Sequence, residues 1–211
     1  MESETVKTID LTMPFDSKVP MYPGSPAPKI RQWSKISEDG FNENKLEFGS
    51  HTGTHIDAPY HMLEDGKKLD DFSIGSYIGK AIVIDAQKKN EKNEIIADIS
   101  GAKGYDFVFF YTGNSKNCYS QKYFENNPVI STKLAQQIAD LEIKIVGLDS
   151  YTPDNEPFET HKLLFRYQIR IVENLVNLHG LIGKTFECIA LPLHITGSDG
   201  APCRVIARLK D

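Results

Sequence analysis

The sequence predicts an α/β fold: a mixed β-sheet flanked by helices and led by a proline-rich N-terminal arm. Three observations carry that expectation. Pro14, Pro20, Pro23, Pro26 and Pro28 crowd the start of the chain, short β-rich apolar runs recur after it, and one later segment has helical periodicity with a cap. At 211 residues the chain has single-domain size, so residues 1–211 are read as one domain. A chain of this length buries roughly 70% of its unfolded surface and needs no covalent staple.

Proline fixes φ, lacks an N–H and pushes the preceding residue towards extended backbone, so residues 14–28 are expected to avoid helix. Within them Met-Tyr-Pro-Gly-Ser-Pro, residues 21–26, reads as a tight turn. Residues 45–48 (Lys-Leu-Glu-Phe) alternate polar and apolar, as a half-buried strand does. The runs at 81–84, 107–111, 143–146 and 189–191 are short and rich in β-branched or aromatic residues, which suits central strands. Ser131 stands as an N-cap before Leu134, Ile138 and Leu141, a helical spacing that leads into a strand at 143–148. Thr160 is read as the cap of a second short helix carrying His161, Leu164 and Phe165. Residues 88–94 form a polar, solvated loop.

Composition narrows the function classes. Net charge is −5 and Lys and Arg never gather beyond short pairs, so no nucleic-acid footprint is present. No apolar run nears the roughly 20 residues that span a bilayer, and the first residues do not resemble a signal peptide. A cytoplasmic protein with no membrane partner is the expectation. Cys118, Cys188 and Cys203 are widely spaced and form no CxxC pair, so they are read as reduced thiols.

The chemistry concentrates between residues 51 and 61. His51, His55, Asp57 and His61 share parity, so an extended strand would point them to one face. Thr52, Gly53, Thr54 and Pro59 oppose a helix there. A straight strand, at roughly 3.3 Å per residue, would still hold His51 and His55 about 13 Å apart. Metal–nitrogen bonds of roughly 2 Å require the rings to converge. The backbone must therefore bend at Gly53, and Pro59 must redirect the chain so that His61 arrives from another side. Burying three imidazoles and a carboxylate without an ion costs several kcal/mol, and a metal site is expected.

The pattern His-x-Gly-Thr-His-x-Asp-x-Pro-x-His over residues 51–61 resembles the signature of the metal-dependent cyclase family, which includes bacterial kynurenine formamidases and isatin hydrolases. Segments at 147–154, 161–164, 171–175 and 197–204 resemble further family segments, so the likeness covers most of the chain from Thr8 onward. The resemblance implies that His51, His55 and Asp57 hold one metal and that Asp57 bridges to a second held by His161 and Glu173. Two divalent ions per subunit follow, zinc first and manganese second, with His61 as the acid/base group beside them. Family formamidases carry Trp-Pro-Gly-Asp near the N-terminus; residues 22–25 here are Tyr-Pro-Gly-Ser, which keeps the aromatic and drops the acid. Tyr22, Phe48 and Tyr60 are taken as candidate walls for a small aromatic substrate. His179 and His194 match no family segment and are read as structural.

The implied reaction is hydrolysis of N-formyl-L-kynurenine to kynurenine and formate. The alternatives are a lactam, lactone or ester hydrolase of isatin-hydrolase type and a metal-binding protein without catalysis. The resemblance also implies a homodimer or higher homo-oligomer in which the arm of one subunit closes the neighbour's pocket.

Overall fold

The apolar runs form strands, and the sheet they build closes on itself. A computed structural model describes residues 6–210 of the chain. Its strands are β1 (Val6–Asp10), β2 (Lys29–Ser34), β3 (Glu43–Glu47), β4 (His55–Asp57), β5 (Ile78–Asp85), β6 (Phe107–Tyr111), β7 (Ile145–Leu148), β8 (Arg170–Glu173), β9 (Thr185–Pro192) and β10 (Gly200–Lys210). The main sheet runs β1-β10-β4-β8-β7-β6-β5-β9, and β10 also pairs with β9. That last pairing makes a seven-stranded mixed barrel with β1 attached outside it. β5, β6, β7 and β8 are parallel to their neighbours in that order, and the remaining pairs are antiparallel.

Closure corrects the expectation of a sheet flanked by helices. Alternation along β6 sends Phe107, Phe109 and Tyr111 inward, where they pack with Val172, Phe186 and Val205. Val108 and Phe110 point outward into a second layer with Leu134, Ile138 and Leu164. That layer holds both longer helices, α2 (Thr132–Asp140) and α3 (Glu159–Arg166), so helices cover one side only. At the seam the inward residues are mostly small, Cys188 and Ala190 on β9 with Cys203, Val205 and Ala207 on β10. Small side chains there let the two strands meet around a filled interior.

Two local expectations change in the same way. The strand expected at 45–48 is β3, but every residue of β3 is exposed, because it pairs only with β2 in a separate two-stranded ribbon. Those two strands are joined through α1 (Ile36–Asp39). Ser131 caps α2 as expected, its Oγ accepting the Leu134 N–H at 3.2 Å. Thr160 does not cap α3. The carboxylate of Asp154 does so, Oδ2 accepting the N–H groups of Thr160 at 2.8 Å and His161 at 3.0 Å. The Thr160 hydroxyl instead donates to the Ile130 carbonyl.

Barrel parity then places the chemistry. Ile56 and Val172 face inward, so His55 and Asp57 of β4 and Glu173 of β8 face outward. The β4–β8 register sets His55 directly opposite Glu173. Among the described residues no helix is long and apolar enough to cross a membrane.

Candidate metal centre

The bend between His51 and His55 occurs at Gly53, whose φ of +65° suits glycine. A Cβ there would also lie 2.8 Å from Val19 Cγ2. The turn brings the His51 and His55 rings to 5.1 Å between centroids at 90°. Pro59 opens the short turn Pro59–His61, which carries His61 to 3.9 Å from the His51 ring. Thr54 ties the segment down, accepting the Met13 N–H and donating to the Asn174 carbonyl.

Each of three imidazoles has one nitrogen anchored and the other turned to a shared carboxylate. His55 Nδ1–H donates to the Gly53 carbonyl at 2.8 Å, leaving Nε2 at 3.2 Å from Asp57 Oδ1 and 3.4 Å from Glu173 Oε2. His161 Nδ1–H donates to Asp154 Oδ1 at 2.5 Å, leaving Nε2 at 3.6 Å from Glu173 Oε1 and 4.0 Å from Asp57 Oδ2. His51 Nε2 lies 2.8 Å from Asp199 Oδ2, with Nδ1 2.7 Å from Asp57 Oδ1. Asp57 thus divides its two oxygens between the first-motif histidines and His161, and Glu173 divides its own between His55 and His161. An ordered network supports this, since Tyr123 O–H donates to Asn174 and Asn174 donates to the same Gly53 carbonyl.

This donor set fits divalent metal. His51, His55 and Asp57 offer ligand atoms within 4.8 Å of one another, and so do Asp57, His161 and Glu173. His55 Nε2 is buried without any hydrogen-bond partner, an orphan that a cation would satisfy. Anchoring the outer nitrogen of each ligand histidine is how proteins fix the tautomer that a metal needs. His51, His55, Asp57, His161 and Glu173 are therefore gathered at one place.

Carboxylates outnumber cations here, and protons respond. Burial alone would lower the His51 pKa, but the Asp57 charge and the hydrogen bonds to Asp199 and Asp57 outweigh it and raise it to about 10. His161 rises to about 9 against burial, through its bonds to Asp154 and Glu173. His55 is also raised, the Asp57 charge again overcoming burial. Asp199 is held far below the usual carboxylate range, chiefly by its contacts with His51 and His61. In metal-free protein His51 and His161 carry protons at pH 7, whereas ligation needs them neutral. Zinc binding at pH 7 is expected to release protons, seen as a calorimetric enthalpy that varies with the buffer's ionisation enthalpy. Zinc affinity is expected to rise with pH up to about 9 to 10. The folded values lie above the ordinary 6.5, so this pairing stabilises the metal-free protein fully below that pH and less as pH climbs through 9 to 10. A buffer-independent enthalpy would contradict that electrostatic account.

Beside the donors lies a cavity of about 260 Å³ walled by Tyr22, Met62, Tyr151 and Phe158, with Ser25 and Thr152 at its edge. Tyr22 lines this cavity. Phe48 and Tyr60 lie outside this cavity. Phe48 packs edge-on against Phe15, 5.2 Å away, along a separate groove, and Tyr60 turns outward beneath the Lys68 ammonium. Neighbouring positions on a tight turn face opposite ways, so Tyr60 leaves the cavity that His61 enters. His179 stacks near Tyr111 and His194 lines a different groove, both away from the donors.

Sequence reasoning missed Asp199, Asp154 and Asn174 as members of the site. Asp154 and Asp199 lie within segments that carried the family resemblance, but a lone aspartate in a loop has no periodicity to mark it. Asp149, from the same segment as Asp154, is structural: it binds the Thr112, Gly113 and Ser115 loop.

Residues 9–155 match the family described as Putative cyclase. Over 209 residues the chain is 32% identical to a kynurenine formamidase of Bacillus cereus, spanning 97% of this chain and 99% of the relative. A solved structure described as a potential metal-dependent hydrolase with cyclase activity has a TM-score of 0.80 at 28% identity, over 98% of this chain and 100% of that one. An isatin hydrolase bound to the product analogue thioisatinate shares the fold, with a TM-score of 0.81 at 24% identity over 98% of this chain and 93% of its own. The match spans well over half the chain and the full-length relative exceeds 30% identity, so this chain belongs to the Cyclase family.

Proposed function

We propose that the protein is a metal-dependent hydrolase of small amides, and specifically an arylformamidase that converts N-formyl-L-kynurenine to kynurenine and formate in the cytoplasm. The observation that carries this reading is the division of the buried Asp57 carboxylate, with Oδ1 facing His51 and His55 and Oδ2 facing His161. His51, His55 and Asp57 would hold one divalent ion, and His161 with Asp57 and Glu173 the other, zinc being favoured by the mixed imidazole and carboxylate donors. Bound there, such ions supply Lewis acidity and a water that ionises near neutral pH.

The chain's own residues do the rest. Tyr22 and Tyr151, edge to face at 6.0 Å, and Phe158 flank an aryl ring and exclude water from it. His61 lines the same cavity, and its Nε2 accepts the proton of the attacking water. The imidazolium then returns that proton to the leaving nitrogen as the carbon–nitrogen bond breaks, giving formate and the free arylamine.

Ser25 favours a second reading. It lines the cavity where the formamidase segment has an acid, so a cyclic substrate without an ammonium group, such as isatin, is the competitor. Metal analysis by mass spectrometry paired with turnover on N-formylkynurenine and isatin decides. Two ions per subunit and formate release support the first reading. Ring opening of isatin alone supports the second, and two ions with neither turnover would leave a binding protein. We also propose a homodimer, because the β2–β3 ribbon leaves Ile30, Trp33 and Leu46 exposed. A monomer by light scattering at micromolar concentration, with activity intact, would remove that proposal.

A further inference from the structure

We infer that Asp199 is a positioning residue that orients two imidazoles at once, turning His51 Nδ1 to the metal and His61 Nε2 to the substrate. This rests on the metal-dependent hydrolase reading above.

The carboxylate oxygen Oδ2 lies 2.8 Å from His51 Nε2 and 3.4 Å from His61 Nδ1. The two rings stack at 3.9 Å with 36° between their planes, so their nitrogens converge on that single oxygen. Both imidazoles are partly exposed, and no other described residue fixes their outer nitrogens as Gly53 and Asp154 fix those of His55 and His161. The Asp199 backbone is itself well held. Its carbonyl accepts the Ala58 N–H at 2.8 Å, directly before the Pro59–His61 turn, and the neighbouring Ser198 carbonyl accepts the Leu69 N–H at 3.0 Å. The aspartate is thereby tied to the segment that carries both histidines.

Gly200 completes the arrangement. A Cβ there would lie 2.7 Å from His51 Cε1 and 3.2 Å from its Nε2, so glycine alone lets the ring lie against the start of β10. Once His51 Nε2–H donates to the carboxylate, Nδ1 is left as the ligand nitrogen and gains basicity. Once His61 Nδ1–H donates to the same oxygen, Nε2 is left as the proton acceptor. A histidine tautomer fixed by a buried or half-buried carboxylate is a recognised way to orient an acid/base group.

The test uses the full chain carrying Asp199→Asn or Asp199→Glu. In Asp199→Asn, zinc affinity at the His51 set is expected to fall by about 10- to 100-fold, while two ions still bind at saturating zinc. At saturating zinc, kcat is expected to fall about 100-fold with KM unchanged. On a His61→Ala background the same substitution should leave kcat where His61→Ala put it, yet still weaken zinc. Asp199→Glu keeps the charge and should recover part of both losses; its melting temperature guards against a folding artefact. Loss of one ion at saturation would make Asp199 a ligand and overturn the inference. Unchanged zinc affinity, or a kcat loss that adds to that of His61→Ala, would overturn it as well. Failure of the hydrolase reading looks different: wild-type protein would then bind no zinc or hydrolyse neither substrate, whereas the zinc affinities are read without any substrate.

Discussion

Asp57→Asn is expected to abolish tight binding at both halves of the metal centre and to lower kcat/KM on the order of 10⁴-fold. The carboxylate is 1% exposed and offers one oxygen to each set of histidines; Glu173 also faces His55 and His161, but Asp57 is the carboxylate that meets His51 as well, at 2.7 Å. Its pKa is held well below the usual value, the imidazolium charges of His51 and His55 overcoming burial, so it is anionic at any working pH. An amide keeps the shape but presents N–H donors or a neutral oxygen to groups that need an anion. The informative control is Asp149→Asn. That carboxylate is fully buried too, yet it binds only the loop from Thr112 to Ser115. It should cost about 1–3 kcal/mol of stability and leave both ions in place. Mass-spectrometric metal counts and calorimetric melting separate the two. If Asp57→Asn retained two tightly held ions, the bridging role would be wrong.

The contrast shows which parts of this protein are local and which are not. β6 was legible to the residue because five consecutive apolar residues have no other place to go than a doubly covered strand. α2 was legible because its cap and its periodicity lie within one short window. Barrel closure was not. β10 does alternate, with Ala201, Cys203, Val205 and Ala207 inside, but the small inner residues and the interleaved Pro202, Arg204 and Arg208 hide its period. Its pairing with β9 is also a choice the chain makes only when the curved sheet returns to itself.

The site divides along the same line. Residues 51–61 announce themselves, since histidines on a glycine-broken segment have few structural uses. His161 and Glu173 came only through the family resemblance, because their approach depends on the β4–β8 register and on α3 lying over it. Asp199 lies in a resembling segment but was given no role by it. It lies 148 residues from His51 along the chain, and only the β10–β4 pairing brings it there.

His61→Ala is expected to lower kcat by about 10²- to 10⁴-fold while leaving both ions bound and KM close to wild type. Unlike the other site histidines, His61 has no place in the two donor sets that share Asp57. Its ring lies against the His51 face, edge-on to His161 and Phe165 and, at 3.4 Å, beside Asp199, with which and His51 it forms a separate group. Its side chain is 27% exposed, so truncation leaves space that water fills and should barely move the melting temperature. His161→Ala makes the opposite pattern, because that ring is buried, anchored by Asp154 and aimed at both carboxylates: metal and stability should fall together. Added imidazole should restore part of the turnover of His61→Ala, since the vacated volume opens onto the cavity beside the donors and the function proposed for His61 is proton transfer. Restoration of turnover by added zinc, in place of imidazole, would show that His61 holds metal after all. Wild-type turnover in the unrescued variant would place the acid/base group elsewhere.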